Sequence, residues 1–367
     1  MKKIVLLCNH YRGLYHFRKE LLIRLMNEGY TLITALPYTE EAENLKKIGC
    51  QVVDTPISRR GTNPITDFGL FKQYIKILKK EKPDLVITFT VKPNLYGGLA
   101  CILKKVPYML NITGLGTALE NKGMLAKMLI AFYKLVGNRA KCVFFQNEGN
   151  KRFLQEKGVA TDNAKMIAGS GINLEEHKYE EYPSEEEKIE FLALIRVMKD
   201  KGIEEYLEAA KTIKEKHRHV TFALAGEYEE ETRALYEPQI EKLQKEGVLK
   251  YYGYIHNIHE VISESHVLVH PSYHEGLSNV LLEAAACGRP VLATDVYGCR
   301  ETLIPGVSGI TFEPRNAEAL IRAIENILSY TESERSQMGR SGREHVETVF
   351  DRNIVVQDYL DEVQKIV

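Results

Sequence analysis

The sequence has no tryptophan, no uncharged apolar run near the ~18 residues of a membrane helix, and no cysteine pair at C-x-x-C spacing. The missing tryptophan decides nothing by itself. The missing apolar run excludes a spanning helix, so the expectation is a cytoplasmic protein or one resting on the cytoplasmic face of a membrane. Met1-Lys2-Lys3 followed by Ile4–Cys8 could pass for the start of a signal peptide, but the apolar run is too short for an h-region and reads as a first buried strand. The six cysteines (8, 50, 101, 142, 287 and 299) are scattered, with no histidine at ligand spacing. They read as small buried hydrophobes in a reducing compartment, not as disulfides or a zinc site. No G-x-G-x-x-G follows the first strand, where Asn9–Leu14 holds a single glycine, and a dinucleotide-dependent dehydrogenase therefore lacks its fingerprint. The net charge of −1 and the spread of basic residues give nucleic-acid binding little support.

A chain of 367 residues fits two domains of roughly 150–200 residues each. The near-zero charge hides an asymmetry: residues 1–172 hold 27 Lys/Arg against 13 Asp/Glu, and residues 173–367 hold 22 against 37. A basic half suits an anionic surface or substrate, while two halves of opposite sign would also attract one another. In the first half, apolar runs at Lys3–Cys8, Thr31–Leu36, Gln51–Val53, Asp84–Thr88, Tyr108–Asn111 and Cys142–Phe145 alternate with helical patterns. Strands that are almost wholly apolar indicate parallel sheets covered on both faces. The acidic, Tyr/Pro/Ser-containing stretch Glu175 to Lys188 reads as a linker. The rhythm then restarts, with strands at Glu190–Ile195, Thr221–Ala225, Leu249–Tyr252, Val267–His270, Val291–Thr294 and Ile310–Phe312. The expected class is α/β, with two Rossmann-like doubly wound domains facing a central cleft: residues 1–172 for the acceptor, residues 173–350 for the donor. A C-terminal helix, 351–367, is expected to cross back to the first. Ligands of such sheets sit at the carboxyl ends of the strands.

One loop of the second half carries chemistry. Val267–His270 reads as a strand and Ser278–Cys287 as a helix ended by Gly288, joined by Pro271-Ser272-Tyr273-His274-Glu275-Gly276-Leu277. Gly276 permits close backbone approach, and the helix start suits an anion such as a diphosphate. Glu283 lies about 12 Å along the helix from Glu275, too far to act on the same atom. Two carboxylates beside an anion need partners of their own, which ribose and sugar hydroxyls would supply. The alternative is that Glu283 faces solvent and Glu275 caps the helix. Arg196, after the strand Glu190–Ile195, and Lys201-Gly202, opening the next helix, would place two cations on the same sheet edge, either for a diphosphate or as solvated surface charges. A glycosidase reading is weaker, because two residues of one strand–helix unit do not easily flank a glycosidic bond.

Glu275 and Glu283, within His-Glu-Gly-Leu-Ser-Asn-Val-Leu-Leu-Glu-Ala, resemble the E-x7-E signature of retaining glycosyltransferase family 4, a GT-B family. Arg196 and Lys201-Gly202 match that family's R-x4-K-G clamp. Ala225-Gly226, Tyr252-Gly253, Pro271-Ser272 and Gly288-Arg289-Pro290 also fall in its pattern. The first half is most similar to bacterial members acting on undecaprenyl-diphosphate-linked glycans, N-acetylgalactosaminyltransferases among them. It resembles them through Tyr15-His16-Phe17-Arg18, Arg59/Arg60, Lys92-Pro93-Asn94, Gly114-Leu115-Gly116 and Gly169-Ser170-Gly171-Ile172-Asn173.

The resemblance implies transfer of a hexose or N-acetylhexosamine from a UDP-sugar, with retention, in surface polysaccharide or glycoprotein glycan synthesis. Glu275, Arg196 and Lys201 would be the catalytic groups. Glu283, Gly276, Leu277, Ser278, Asn279 and Gly13 would bind the donor. His16, Arg18, Arg59, Lys92 and Thr113 are the acceptor-side candidates. The substrate nucleotide sugar would be the only cofactor-like group, and the absence of D-x-D accords with a clamp that needs no metal. One departure matters: many members carry a histidine at the end of a first-half strand near the donor sugar, where this chain reads Asn111-Ile112-Thr113-Gly114. Two alternatives share the fold: a UDP-sugar epimerase, which needs no acceptor, and a non-catalytic nucleotide-sugar-binding subunit. On the acceptor side, Leu125, Met128, Leu129, Phe132, Tyr133 and Val136 share a helical face with lysines nearby. That helix packs on its own sheet or lies among anionic lipids. The acceptor expected is a glycan or a lipid-diphosphate-linked sugar.

Overall fold

The computed structural model describes residues 1–58, 63–115 and 123–367 and divides into two compact units, Met1–Gly171 with Arg352–Val367, and Ile172–Asp351. Arg59, Arg60 and Gly116 lie outside the described residues.

The first unit is built on strands β1 (Lys3–Leu7), β2 (Thr31–Leu36), β3 (Gln51–Asp54), β4 (Leu85–Phe89), β5 (Tyr108–Ile112), β6 (Cys142–Phe145) and β7 (Ala164–Met166). They form one parallel sheet in the order β3-β2-β1-β4-β5-β6-β7. Alternate residues of β1 feed opposite cores. Ile4 and Leu6 pack with Leu21, Leu22 and Leu25 of the helix Tyr11–Asn27, whereas Val5 and Leu7 pack with Tyr74, Tyr133 and Val136. Burial on both faces is what a nearly continuous apolar strand such as β1 requires. The last helix, Arg352–Ile366, joins the first of these cores through Val355, Val356, Tyr359, Leu360 and Val363. Its start crosses Gly171, where φ is +64° and a Cβ would lie 2.5 Å from the Arg352 Cα, a position that only glycine fills without strain.

The second unit repeats the plan with β8 (Ile189–Leu194), β9 (Val220–Ala225), β10 (Leu249–Tyr251), β11 (Val267–His270), β12 (Val291–Thr294) and β13 (Gly309–Phe312). Their order is β10-β9-β8-β11-β12-β13, again parallel. Strand order reverses between β8 and β11, which makes their carboxyl ends the topological switch point where open α/β sheets bind ligands.

The two doubly wound sheets expected from the alternation are both present. Two small elements escaped the periodicity: edge strand β7, three residues with a central Lys165, and the helix Ile258–Glu264. Neither is long enough to show a period. The acidic stretch falls within the bounds expected of the second domain, but it is not a linker. It belongs to the second unit, fastened by three arginines: Arg289 donates to the Glu180 and Glu181 carbonyls, Arg335 pairs with Glu185, and Arg343 donates to the His177 carbonyl. Its composition resembles a linker because it is held by distant arginines, through its backbone carbonyls and the Glu185 carboxylate.

Candidate functional site

The switch point is assembled by two loops that touch through a glycine. After β8 the chain runs through Arg196 and a tight turn at Lys199–Lys201, and Gly202 adopts φ +73° before the helix Ile203–Lys216. A Cβ at Gly202 would lie 2.2 Å from the Pro271 carbonyl oxygen, so any other residue would push the two loops apart. The Tyr273 amide also donates to the Asp200 carbonyl at 3.0 Å. The Lys201 ammonium is thereby delivered into the loop that follows β11.

There it meets a carboxylate. Lys201 Nζ donates to Glu275 Oε1 at 2.5 Å and approaches Ser272 Oγ at 3.3 Å. His270, the last residue of β11, brings Nε2 to the same Glu275 oxygen at 2.9 Å and to Ser278 Oγ at 3.1 Å. Lys201 and Glu275 are each less than one-fifth exposed, and His270 is buried. Burial alone would raise the Glu275 pKa. The His270 hydrogen bond and the Lys201 charge outweigh it and hold the carboxyl well below the usual range. Gly298, at φ +86°, backs the loop: its Cβ would sit 2.6 Å from the Glu275 carbonyl, and its own carbonyl accepts from the Ser278 amide at 2.8 Å.

The helix Asn279–Ala286 starts from this loop. Ser278 stands at its N-cap position without bonding the first turn, because its hydroxyl is turned toward His270. Leu277 and Ser278 are buried, and Glu283, one turn into the helix, is 7% exposed. Glu283 therefore does not face solvent, and the Glu275 carboxylate is turned to Lys201 and His270.

Arg196 is placed differently. Half exposed at the end of β8, it pairs with Glu229, so the structure brings Lys201 and Glu275 into contact while Arg196 is held by its own carboxylate. His270 is the residue that sequence reasoning missed, because it reads only as the end of a strand. The signal was its position, since the carboxyl end of a strand beside the switch point is where such sheets place functional groups.

In the first unit, Gly13 lies in the first turn of the helix Tyr11–Asn27, with its Cβ position 3.2 Å from Cys8 Sγ. His16 is exposed beside the Tyr11 and Tyr15 rings. Arg18 is buried: it donates to the Gly13 carbonyl at 2.8 Å and lies 4.4 Å over the Phe89 ring. Lys92 is paired with Asp67 at 2.6 Å, and Tyr96 donates to that carboxylate at 3.1 Å. Arg18 and Lys92 are thus both engaged within the unit. Thr113 sits half-buried in the bend after β5, and Arg59 lies outside the described residues.

Residues 175–345 match the family model described as glycosyl transferases group 1, and residues 3–147 match one described as glycosyl transferase 4-like. Across 367 aligned residues the chain is 28% identical to the N,N'-diacetylbacillosaminyl-diphospho-undecaprenol alpha-1,3-N-acetylgalactosaminyltransferase of Campylobacter jejuni, covering 95% of this chain and 94% of that protein. It is 26% identical to the capsular polysaccharide biosynthesis glycosyltransferase CapM of Staphylococcus aureus, covering 87% of each. In fold it is similar to Anabaena HepE in complex with UDP and glucose, with a TM-score of 0.82 and 16% identity over the whole of both chains. It is likewise similar to WaaG, a glycosyltransferase involved in lipopolysaccharide biosynthesis, with a TM-score of 0.73 and 16% identity over 97% of this chain and 99% of that one.

Proposed function

The chain belongs to the group 1 glycosyltransferases, and from that premise we propose that it moves a sugar, with retention and without a metal, from a UDP-sugar to a lipid-diphosphate-linked or capsular glycan. One observation carries the donor half of this reading: Lys201, Glu275 and His270 converge within hydrogen-bond distance at the switch point of the second sheet. A diphosphate entering there meets the Lys201 ammonium, and Arg196 reaches it by leaving Glu229. Glu283 holds the ribose hydroxyls, and Glu275, oriented by His270, holds a hydroxyl of the donor sugar. As the glycosidic bond to the diphosphate breaks, charge accumulates on the leaving oxygens, and fixed cations stabilise it most there. The leaving phosphate takes the acceptor proton, and the acceptor oxygen bonds on the same face, which retains the anomeric configuration.

The acceptor half rests on the Campylobacter and Staphylococcus relatives and on the basic first half of the sequence. Among the described residues no helix is long and apolar enough to cross a membrane. The helix Met124–Gly137 packs inward through Ala126, Tyr133 and Val136 and turns Met124 (87% exposed), Met128 (60%), Leu125 and Leu135 outward, with Lys127 and Lys134 exposed beside them. Of the stripe read from sequence, Tyr133 and Val136 therefore serve the core, and Leu125 and Met128 are left to the surface. Apolar tips among lysines suit a peripheral seat on an anionic membrane.

The test is a screen of UDP- and GDP-sugars for thermal stabilisation, followed by transfer to an undecaprenyl-diphosphate-linked acceptor in EDTA, with the product anomer assigned by NMR. An inverted product, a requirement for divalent metal, or UDP-sugar interconversion without acceptor would each overturn the reading. Sedimentation with phosphatidylglycerol vesicles tests the membrane seat, which predicts weaker binding for Met128→Glu.

A further inference from the structure

The second unit holds a cluster of metal-ligating side chains away from the Lys201–Glu275 network. His177 lies in the stretch after Asn173, His259 is the second residue of the helix Ile258–Glu264, and Cys287 ends the helix Asn279–Ala286. One ligand atom from each falls within 4.8 Å of the other two. No two of the three are near in sequence, which is why the scattered cysteines read as simple hydrophobes.

We propose that His177, His259 and Cys287 form a binding site for a zinc-like transition-metal ion. The ion would be held by Cys287 Sγ, His259 Nδ1 and a ring nitrogen of His177, with water in the fourth position. The orientation of His259 argues for it. Its Nδ1 faces Cys287 Sγ at 3.1 Å, while its Nε2 faces Glu180 Oε1 at 3.4 Å. That is the arrangement of a metal-ligating imidazole with a carboxylate behind it, which fixes the tautomer and makes the inner nitrogen a better ligand. Bond lengths of ~2.3 Å to sulfur and ~2.0 Å to nitrogen place tetrahedral ligand atoms roughly 3.3–3.6 Å apart. One pair already stands close to that spacing, and all three atoms lie within 4.8 Å of one another.

The frame around the cluster is cross-linked by two arginines. Arg343 donates to the carbonyls of His177 and Ala286, the latter adjacent to Cys287, at 2.9 and 2.8 Å. Arg289, fully buried, donates to the carbonyls of Glu180, Glu181, Ile262 and Ser263. Both guanidinium groups are oriented by carbonyls, and together they tie the three ligand-bearing segments to one another. His177 and His259 are partly exposed, which leaves an ion a path in, and Cys287 closes the floor.

A thiolate with two imidazoles selects zinc, cobalt or copper over magnesium and calcium, which prefer oxygen. Without an ion the Cys287 S–H faces His259 Nδ1. Binding therefore expels that proton to solvent, with no change in oxidation state. Thiolate and dication leave one positive charge, which Glu180 faces. The ion would staple the acidic stretch to the end of the helix that carries Glu283 one turn earlier, a role independent of the transfer reaction.

The test uses the full chain, stripped with chelator and titrated with Zn²⁺ or Co²⁺ in the absence of nucleotide sugar. The expected result is one equivalent bound, a thiolate-to-cobalt charge-transfer band, and a thermal midpoint raised by Zn²⁺ but not Mg²⁺. Cys287→Ser should abolish the charge-transfer band. His177→Ala, at a partly exposed position that leaves the core intact, should weaken Co²⁺ binding on the order of a hundredfold, and Glu180→Gln by roughly 10–100-fold. Absence of stoichiometric binding, or binding unchanged in both Cys287→Ser and His177→Ala, would overturn the proposal. Cys50→Ser serves as the thiol control, and loss of the band in that variant would overturn it equally.

Discussion

Replacing Lys201 with methionine removes an ammonium 2.5 Å from Glu275 while keeping most of its side-chain volume. Two consequences can be separated. The first concerns stability. The pair is less than one-fifth exposed on each side, and removing one partner of a buried pair costs about 3–5 kcal/mol because the other charge is left uncompensated. His270 still donates to the same oxygen, so about 2–4 kcal/mol is expected, with a lower urea midpoint and an unchanged m-value. The second concerns turnover. If Lys201 stabilises the departing diphosphate, its loss should cost roughly 10²–10³ in rate, as for other groups aimed at charge that develops in the transition state. The double variant Lys201→Met/Glu275→Gln divides the two. Neutralising the stranded carboxylate should recover most of the stability, with a coupling energy of about 1–3 kcal/mol, and should recover none of the turnover. Urea unfolding and single-turnover transfer with the UDP-sugar that stabilises the protein measure both. A Lys201→Met protein that transfers within about threefold of wild type, or a double variant that regains activity, would refute the assignment of Lys201 to the leaving group.

The remaining expectations follow from the same geometry. Glu283→Gln should raise the donor KM at least tenfold while changing kcat little, because a ribose contact is made equally in the ground and transition states; the reverse pattern in steady-state kinetics would remove Glu283 from that role. The Glu275 carboxyl titrates below its unfolded value, so its contribution to stability is complete above pH about 4.5 and is lost as pH falls from there toward the folded pKa. Wild type should thus lose stability more steeply than Glu275→Gln between about pH 5 and 3 in urea titrations, and parallel curves would count against the depressed pKa. Gly202→Ala should cost about 1–3 kcal/mol, since its φ is +73° and its Cβ would meet the Pro271 carbonyl. Donor-induced stabilisation should be lost with it, and a Gly202→Ala protein that kept full stability and donor response would show that the two loops tolerate separation.

The sheets were legible because their chemistry is local to each strand. Val267–His270 and Val291–Thr294 each open with three apolar residues, and burial on both faces suits a strand there. The Glu275 loop was legible because a glycine, a helix start and two carboxylates fall within nine positions of one another. His270 was not, because a histidine ending an apolar strand has no periodicity of its own and acquires meaning only when Lys201, 69 positions earlier in the chain, arrives beside the same carboxylate. The contacts that engage Arg18 and Lys92 were equally hidden. Asp67 lies 25 residues from Lys92, and no local pattern announces that a lysine between a strand and a proline will turn back to it.

The acidic stretch depends on contacts with distant arginines in the same way. Its composition is that of a linker, and composition is read as if each residue solvated itself. Arg289 is fully buried, and its guanidinium donors are met by backbone carbonyls. A buried guanidinium is tolerated only when its donors are met, so the carbonyls of Glu180 and Glu181 are as necessary to Arg289 as Arg289 is to the stretch. Arg335 and Glu185 depend on each other in the same way as a buried pair, each about one-tenth exposed or less. Breaking either contact strands a charge, which is why a segment rich in Glu, Tyr and Ser is held against the second unit rather than left to solvent. The same fastening sets His177 beside His259 and Cys287, so the proposed metal site and the ordering of the stretch have one cause.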